Sequence, residues 1–238
     1  VLHGTPFWSK AVAKSVYRSP VLKEGSTTRT ASGYKIVVNN DVTISSTATR
    51  NDVKITINKD DAAWSASSIK VNLYQNGTSK KTVTVSSGSV ATLTAVANGT
   101  YDVYAGKDSN NKTTLIDTGL DITVSNNSPT GLINYYSLTL QKGTGISAVS
   151  NGGTVTEEAV QYLYNSEAEN GPQDIAIDST VIEGYTWSSW TKTSGTNLAT
   201  ITAGTKSQNV KMGAGAAVYK ANATYTASVT ITRSDYNT

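Results

Sequence analysis

Apolar and polar residues alternate with a period of two over most of residues 50–127. In residues 53–57 every second residue is apolar, so that an extended strand here has one apolar face. Residues 69–74 repeat the pattern, and Asn76-Gly77 after them predicts a hairpin turn, because both residues accept positive φ. About seven short strands separated by turns predict a β-sandwich module over 50–127. The other alternating segments are 81–85, 90–96, 99–104, 113–116 and 120–124.

The first 49 residues carry a less regular pattern. Residues 34–38 and 42–46 are typical of strands, with a turn favoured by the Asn and Asp residues between them. Residues 42–49 also echo 218–224, because each run alternates and then ends in Ala-Thr. Two interpretations of the segment 1–49 stay open: the tail of a preceding repeat, or an arm that inserts into the sheet edge of a neighbouring subunit.

A polar stretch containing Pro and Gly, residues 125–131, is the best candidate for a linker. The region after it, 132–238, is predicted to form a separate module, whose last strand is expected at 223–231. Residues 157–164 favour a short helix, because two glutamates open the segment and three apolar residues are spaced to face a core.

Composition supports strands rather than helices. The chain has 13 Tyr and 4 Trp but one Phe and one Met, and Thr, Ser, Val, Asn and Gly dominate the rest. Aromatic and β-branched side chains suit the half-buried surface of a sheet. We therefore predict a mainly all-β chain of small tandem modules, with at most one short helix.

Charge and cysteine content exclude several functional classes. The net charge is +3, and the 20 basic residues are interspersed with the 17 acidic ones rather than clustered, so a nucleic-acid partner is not expected. The absence of cysteine excludes disulfides and cysteine-based metal sites. No apolar run reaches the ~18–20 residues that span a bilayer. Because the chain begins with Val1 rather than Met, we expect a processed product or an excised fragment.

Five short motifs follow one another in the middle region. They are Val71-Asn-Leu-Tyr74, Asn76-Gly77, Val90-Ala-Thr-Leu93, Asn98-Gly-Thr-Tyr101-Asp-Val-Tyr104 and Asp121-Ile-Thr-Val124. Their order, which covers about a third of the chain, resembles that of the transthyretin-like (Cna-B-type) sandwich modules of Gram-positive adhesins. The resemblance implies a stalk or a ligand-presenting module.

The third region has a fixed order of elements: a strand, glycine turns, a second strand, an aromatic Gly-Tyr-Thr-Trp-Ser-Ser-Trp motif, a polar excursion and an Asn-Val-Lys-Met strand. The aromatic motif begins at Gly184, and the Asn-Val-Lys-Met strand begins at Asn209. This order resembles the divergent Listeria–Bacteroides (internalin B-type) repeats of bacterial surface proteins. The resemblance implies a β-grasp-like arrangement, in which one helix lies over a small sheet.

Candidate chemistry is sparse. His3, the one histidine, lies at the extreme N-terminus, where a rigid catalytic triad cannot form. The acidic residues between 157 and 183 are expected on solvated surfaces rather than in a glycosidase cleft. Trp187, Trp190 and Tyr185 are the candidate ligand-binding residues, since aromatic faces bind sugars and proteins. We expect no cofactor and no enzymatic activity.

The sequence contains two further candidate sites. Asp60, Asp61 and Asp108 lie in oxygen-rich loops and form a weak calcium alternative. The Cna-B resemblance also implies a test for an isopeptide bond, which would join Lys59 or Lys54 to Asn126. The family's catalytic acid falls at Ala105, and Asp102 should point to the opposite face from its neighbours. The cross-link is therefore not expected.

These observations predict a non-catalytic structural or adhesive module of a bacterial cell-surface protein, exported to the wall or secreted. Its partners would be neighbouring modules of a longer chain and a glycan or host protein. One alternative is a self-assembling phage or virion decoration protein, fibre or pilin-like subunit, which would bind identical subunits. A second alternative is a carbohydrate-binding accessory module, with Trp187 or Trp190 as its platform.

Overall fold

The computed structural model describes residues 4–65, 68–107, 115–164 and 174–227, and the fold of these residues is all-β. Two compact units make up the chain: Val1–Asn58 with Ala63–Ile133, and Lys59–Ala62 with Asn134–Thr238. The finer boundary between 1–49 and 50–127 stays a prediction. His3, Asp108 and the first half of the strand expected at 113–116 lie outside the described residues, as does the end of the strand expected at 223–231.

The first twelve strands precede the predicted linker. They are β1 (Pro6–Ser9), β2 (Tyr17–Glu24), β3 (Thr27–Arg29), β4 (Tyr34–Val37), β5 (Ile44–Arg50), β6 (Val53–Lys59), β7 (Ala62–Ala63), β8 (Ile69–Gln75), β9 (Thr78–Val85), β10 (Val90–Leu93), β11 (Gly99–Lys107) and β12 (Ile116–Val124). Eight strands follow within the described part of residues 130–227. They are β13 (Thr130–Lys142), β14 (Ile146–Asn151), β15 (Thr154–Val155), β16 (Val160–Leu163), β17 (Ile175–Val181), β18 (Tyr185–Gly195), β19 (Gln208–Val210) and β20 (Ala217–Tyr225).

The first unit contains the predicted sandwich. One sheet has the order β12-β11-β8-β9, and β6 of the facing sheet lies between β10 and β13. Ile55 of β6 approaches Leu120 and Ile122 of β12 around Gly131, which joins the two sheets in one core. The alternation in β6 is confirmed, because its three apolar residues are fully buried while Lys54 is exposed. Asn76-Gly77 forms the predicted turn with positive φ at both residues.

The N-terminal part of the first unit forms two further small sheets. β1 pairs with β4, and β2 lies between β3 and β5, all in antiparallel register. The strand predicted at 34–38 corresponds to β4, whereas the one predicted at 42–46 overlaps only the start of β5, which runs from Ile44 to Arg50. Arg18 links this part to the sandwich, since its guanidinium donates to Asn51 Oδ1 at 3.1 Å and to Ser128 Oγ at 2.8 Å.

The second unit is also built from two sheets. In one, β13 and β18 flank β20, and β16 pairs with β13; in the other the order is β15-β14-β17-β19. The side chains between them form one apolar core with Leu138 and Leu140 of β13 fully buried in it. The other strands contribute Val149, Ile177, Trp190, Val210 and Tyr219 to the same core.

The helix predicted at 157–164 is wrong, because Val160–Leu163 is β16 and pairs in antiparallel register with β13. The hydroxyl of Tyr162 donates to Asn151 Oδ1 at 2.6 Å, and Leu163 is buried. Glu157 does not cap a helix but accepts the backbone N–H of Lys142 at 2.9 Å. A run this short fits the helical period and the strand period equally well, so its pairing with β13 decides its conformation.

Gly143, directly after β13, has no room for a side chain. A Cβ there would overlap the backbone oxygen of Ala221 and lie 2.7 Å from Asn222 Oδ1. We expect Gly143→Ala to lower the free energy of unfolding by about 1–3 kcal/mol, because backbone must move to relieve the overlap. Urea denaturation measures this. Gly204→Ala is the matched control, since its Cβ meets nothing within 4 Å; equal losses for both variants would contradict the steric argument.

Candidate functional site

Strands β13 and β20 of the second unit run side by side in parallel. Their register pairs Leu138 with Ala217 and continues to Lys142 opposite Ala221. β13 carries the chain into this unit, and β20 is its last strand within the described residues. β18 pairs with the other edge of β20 in antiparallel register, so β20 is hydrogen-bonded on both sides.

The turn after β13 extends the contact with β20. Gly143 donates its N–H to the carbonyl of Ala221 at 2.9 Å, and Ala223 donates to the carbonyl of Thr144 at 3.1 Å. Lys142 forms an ion pair with Glu157 at 2.9 Å. The backbone hydrogen bond from Lys142 and then this side-chain contact lower the pKa of Glu157. Both side chains are well exposed, so the ion pair itself adds little stability.

The turn at residues 59–62, which belongs to the second unit, holds the middle of β13. Ser137 donates its N–H to Asp60 Oδ1 at 2.8 Å and its hydroxyl to Asp60 Oδ2 at 2.7 Å. The hydroxyl of Tyr136 donates to Asp61 Oδ1 at 2.7 Å. Burial, with the hydrogen bond to Asp61, raises the pKa of Tyr136 to about 12. Both aspartates have positive φ, which Asp tolerates better than most residues.

These contacts bear on the calcium alternative. Both carboxylates already accept hydrogen bonds, and the part of the chain that the structure describes contains no group of three or more residues of the metal-ligating types. Asp108 lies outside the described residues. The calcium site therefore stays a prediction. The alternative role of Asp60 is structural, because its carboxylate accepts both hydrogen bonds from Ser137.

Trp187 and Trp190 of β18 hold down the polar loop that follows their strand. The indole N–H of Trp187 donates to the backbone carbonyl of Gly204 at 2.8 Å. The indole N–H of Trp190 donates to the backbone carbonyl of Lys206 at 3.0 Å. Their ring centroids lie 5.5 Å apart in an edge-to-face arrangement. Trp190 is only 2% exposed, so its faces are covered by the core. Trp187 is half-buried against the same core.

Tyr185, the third aromatic residue of the predicted ligand site, packs against Tyr225 at the end of β20. Their ring centroids lie 5.4 Å apart, and Tyr225 is 65% exposed. The structure thus brings Tyr185 and Trp187 to one end of β18 but leaves Trp190 inside. Ligand binding by Tyr185 or Trp187 stays a prediction.

The residues of the isopeptide hypothesis each have a defined local environment. Asn126 is exposed in a turn, where its Oδ1 accepts from Asn98 at 3.0 Å, and Ala105 is buried on β11. Lys59 is the last residue of β6. Asp102 is exposed between buried neighbours, as its position in the strand predicts. A hydrocarbon side chain at 105 cannot relay the proton that the cross-link requires.

No family model and no curated protein matches the chain. Among solved structures, the Bacillus anthracis TIE protein aligns at 13% identity over 80% of this chain and 38% of its own, with a TM-score of 0.26. The pilus adhesin SpaC of Lactobacillus rhamnosus GG, in its open conformation, aligns at 9% identity over 95% and 44%, with a TM-score of 0.21. The chain therefore spans less than half of these solved chains, and scores of this size establish no common fold. The described residues contain no helix long and apolar enough to cross a membrane.

The role of Asp60 can be separated from calcium binding by mutation. We expect Asp60→Ala to lower the free energy of unfolding by about 1–3 kcal/mol, because Ser137 is buried and loses the acceptor of two hydrogen bonds. Asp60→Asn keeps one acceptor oxygen and tolerates positive φ, so its loss should be smaller. Thermal unfolding in calcium chloride and in EDTA is the measurement. A calcium-dependent rise in Tm that Asp60→Ala removes would support the metal site instead.

Proposed function

We propose that the chain is a non-catalytic structural module that carries tension within an extracellular protein of the bacterial surface. The observation that carries this proposal is the parallel pairing of β13 with β20. β13 carries the chain into residues 134–238 of the second unit, and β20 is the last strand of that unit within the described residues. Tension on the chain would therefore act directly on this one ladder.

The direction of pairing decides how that ladder responds to force. In a parallel pair, the end at which β13 enters and the end at which β20 leaves lie at opposite poles of the ladder. Pulling on them slides one strand along the other, so that the evenly spaced hydrogen bonds of a parallel pair are loaded together. In an antiparallel pair with both connections at one pole, the bonds would open one after another.

The contacts around β13 support the same role. Leu138 and Leu140 are fully buried, and sliding the strand would drag both from the core. Asp60 holds the backbone and hydroxyl of Ser137, and the turn after β13 continues the hydrogen bonding to Ala221 and Ala223. The polar groups brought together at this strand thus hold backbone in place.

The proposal also includes a location at the bacterial surface, neighbouring modules in a longer chain, and a glycan or protein ligand. They are supported by the sequence resemblance to modules of bacterial surface proteins. A stalk would need modules that resist extension, and the second unit has the strand geometry for it. Ligand presentation would add exposed aromatic residues such as Tyr225 to that role.

Single-molecule pulling between chosen points tests the mechanical role. Because the chain has no cysteine, two introduced cysteines define the attachment points without ambiguity. Leu132→Cys with Thr224→Cys loads β13 and β20 from opposite ends. Thr144→Cys with Thr224→Cys, coupled in reducing buffer, pulls both strands from the same end. All three positions are exposed. We expect a clearly higher rupture force for the first pair.

The two double variants share one attachment point and differ only in the end of β13 that is pulled. Core packing alone would produce similar forces for both pairs. Equal rupture forces, or a higher force for the pair at one end, would therefore overturn the mechanical proposal. Urea denaturation of both double variants checks that their equilibrium stabilities match.

A further inference from the structure

Four of the five N-terminal strands repeat the arrangement of the last four strands of the second unit within the described residues. The fifth, β3, pairs with β2 and has no counterpart there. β1 pairs with β4 as β17 pairs with β19, and β2 pairs with β5 as β18 pairs with β20. All four pairings are antiparallel. In each set the strands follow the same order along the chain, with the first and third in one sheet and the second and fourth in another.

The register of β2 with β5 matches the register of β18 with β20. Tyr17 opens β2 opposite Arg50, and Tyr185 opens β18 opposite Tyr225. Each tyrosine donates its N–H to the carbonyl three residues before it, at 2.8 Å and 3.1 Å respectively. Each strand then contains a bulge, and the residue five positions after the tyrosine, Leu22 or Trp190, is 2% exposed.

Beyond the bulge the two sets are in register again. Leu22 faces Ser46, as Trp190 faces Ala221. Ser46, Thr47 and Ala48 of β5 therefore correspond to Ala221, Asn222 and Ala223 of β20. Lys14 corresponds in the same way to Ile182, since each lies three residues before its tyrosine.

The two sets differ in what covers their outer edges. In the second unit β13 pairs with the outer edge of β20, and β14 pairs with β17. Among the described residues β5 has one strand partner, β2, and β1 has one, β4. Six of the seven residues of β5 are exposed, and Arg50 at its end is the only charged one. Protein edges that must stay unpaired usually carry charges, prolines or bulges that prevent pairing.

A cavity of about 200 Å³ lies beside this edge, between β5 and the segment before β2. Lys14, Tyr17, Ser46 and Ala48 are among its lining residues. In the second unit the corresponding residues hold the turn Gly143-Thr-Gly145. Its backbone bonds to Ala221, Ala223 and Ile182, and Gly145 lies so close to the ring of Tyr185 that a Cβ would overlap it.

We propose that the edge of β5 and this cavity are the docking site for a strand–turn–strand segment from outside residues 1–238. Its first strand would run parallel to β5, and its glycine turn would fill the cavity. Its second strand would lie antiparallel to residues 9–13. Its chemistry would be that of residues 134–151: alternating apolar side chains, then Gly-x-Gly.

A second copy of the chain is a poorer occupant. Residues 134–151 already fill the equivalent place in their own unit, where Leu138, Leu140 and Val149 are almost fully buried. A second copy could donate them only by opening that core. A segment without this prior engagement binds at no such cost.

The first test uses a fluorescein-labelled peptide of residues 134–151 and the full chain. We expect saturable binding by fluorescence anisotropy, and hydrogen exchange at the Ala48 amide slowed by roughly ten-fold or more, because this N–H would gain a carbonyl partner. The peptide with Gly145→Ala is the matched control and should bind at least about ten-fold more weakly, since its extra methyl group would meet Tyr17.

The second test places the peptide in the same chain, so that low affinity cannot hide the effect. Residues 134–151 are fused before Val1 through a flexible linker of about 20 residues, which raises their effective concentration. The Ala48 amide should be protected in this fusion and not in the fusion that carries Gly145→Ala. Ala48→Pro, which removes the donor, should weaken peptide binding by roughly ten-fold.

Two outcomes overturn the proposal. One is an Ala48 amide that exchanges equally fast in both fusions. The other is a chain that dimerises alone in a concentration series by light scattering, with Ala48 protected in the dimer, which would make a second copy the occupant. Circular dichroism of Ala48→Pro confirms its fold, and the peptide control leaves the chain itself unchanged.

Discussion

Every strand of a sheet offers hydrogen-bonding groups along two edges, and the second unit depends on how β20 uses both. β18 satisfies one edge in antiparallel register and β13 the other in parallel register. A parallel neighbour cannot be supplied by a tight hairpin, so it must come from far along the chain. Residues 143–216 lie between the two strands, and β14 to β19 form in that interval. The core of the unit is closed only when the first and last strands meet.

Local sequence patterns predicted individual strands, but they did not predict the pairing of β13 with β20. The alternation in β6 and the Asn76-Gly77 turn are properties of neighbouring residues, and both were correct. The hydrogen bonds of Asp60 with Ser137 join residues 77 positions apart, and no local signal marks them. The segment 157–164 failed for the same reason, because β13 supplies the partner that makes Val160–Leu163 a strand.

The aromatic motif shows the same division between pattern and packing. Its composition marked Tyr185, Trp187 and Trp190 as one candidate surface. A bulge between Trp187 and Ser189 changes which side chains point inward, and it places Trp190 in the core. The short echo between 42–49 and 218–224 carried more information, since those residues form β5 and the corresponding part of β20. A weak likeness in sequence was thus a likeness in strand order and register.

The likeness between β5 and β20 connects the mechanical role to the docking site. A strand that docked on β5 as β13 docks on β20 would form a second parallel ladder of the same kind. Tension carried along β5 would then shear that ladder rather than peel it, because the docked strand would enter at the opposite pole. If the docked strand belonged to another polypeptide, the same hydrogen bonds would pass force from one chain to the next. The edge of β5 would then both recognise the docked strand and transmit force to it, because the same parallel pairing serves both purposes.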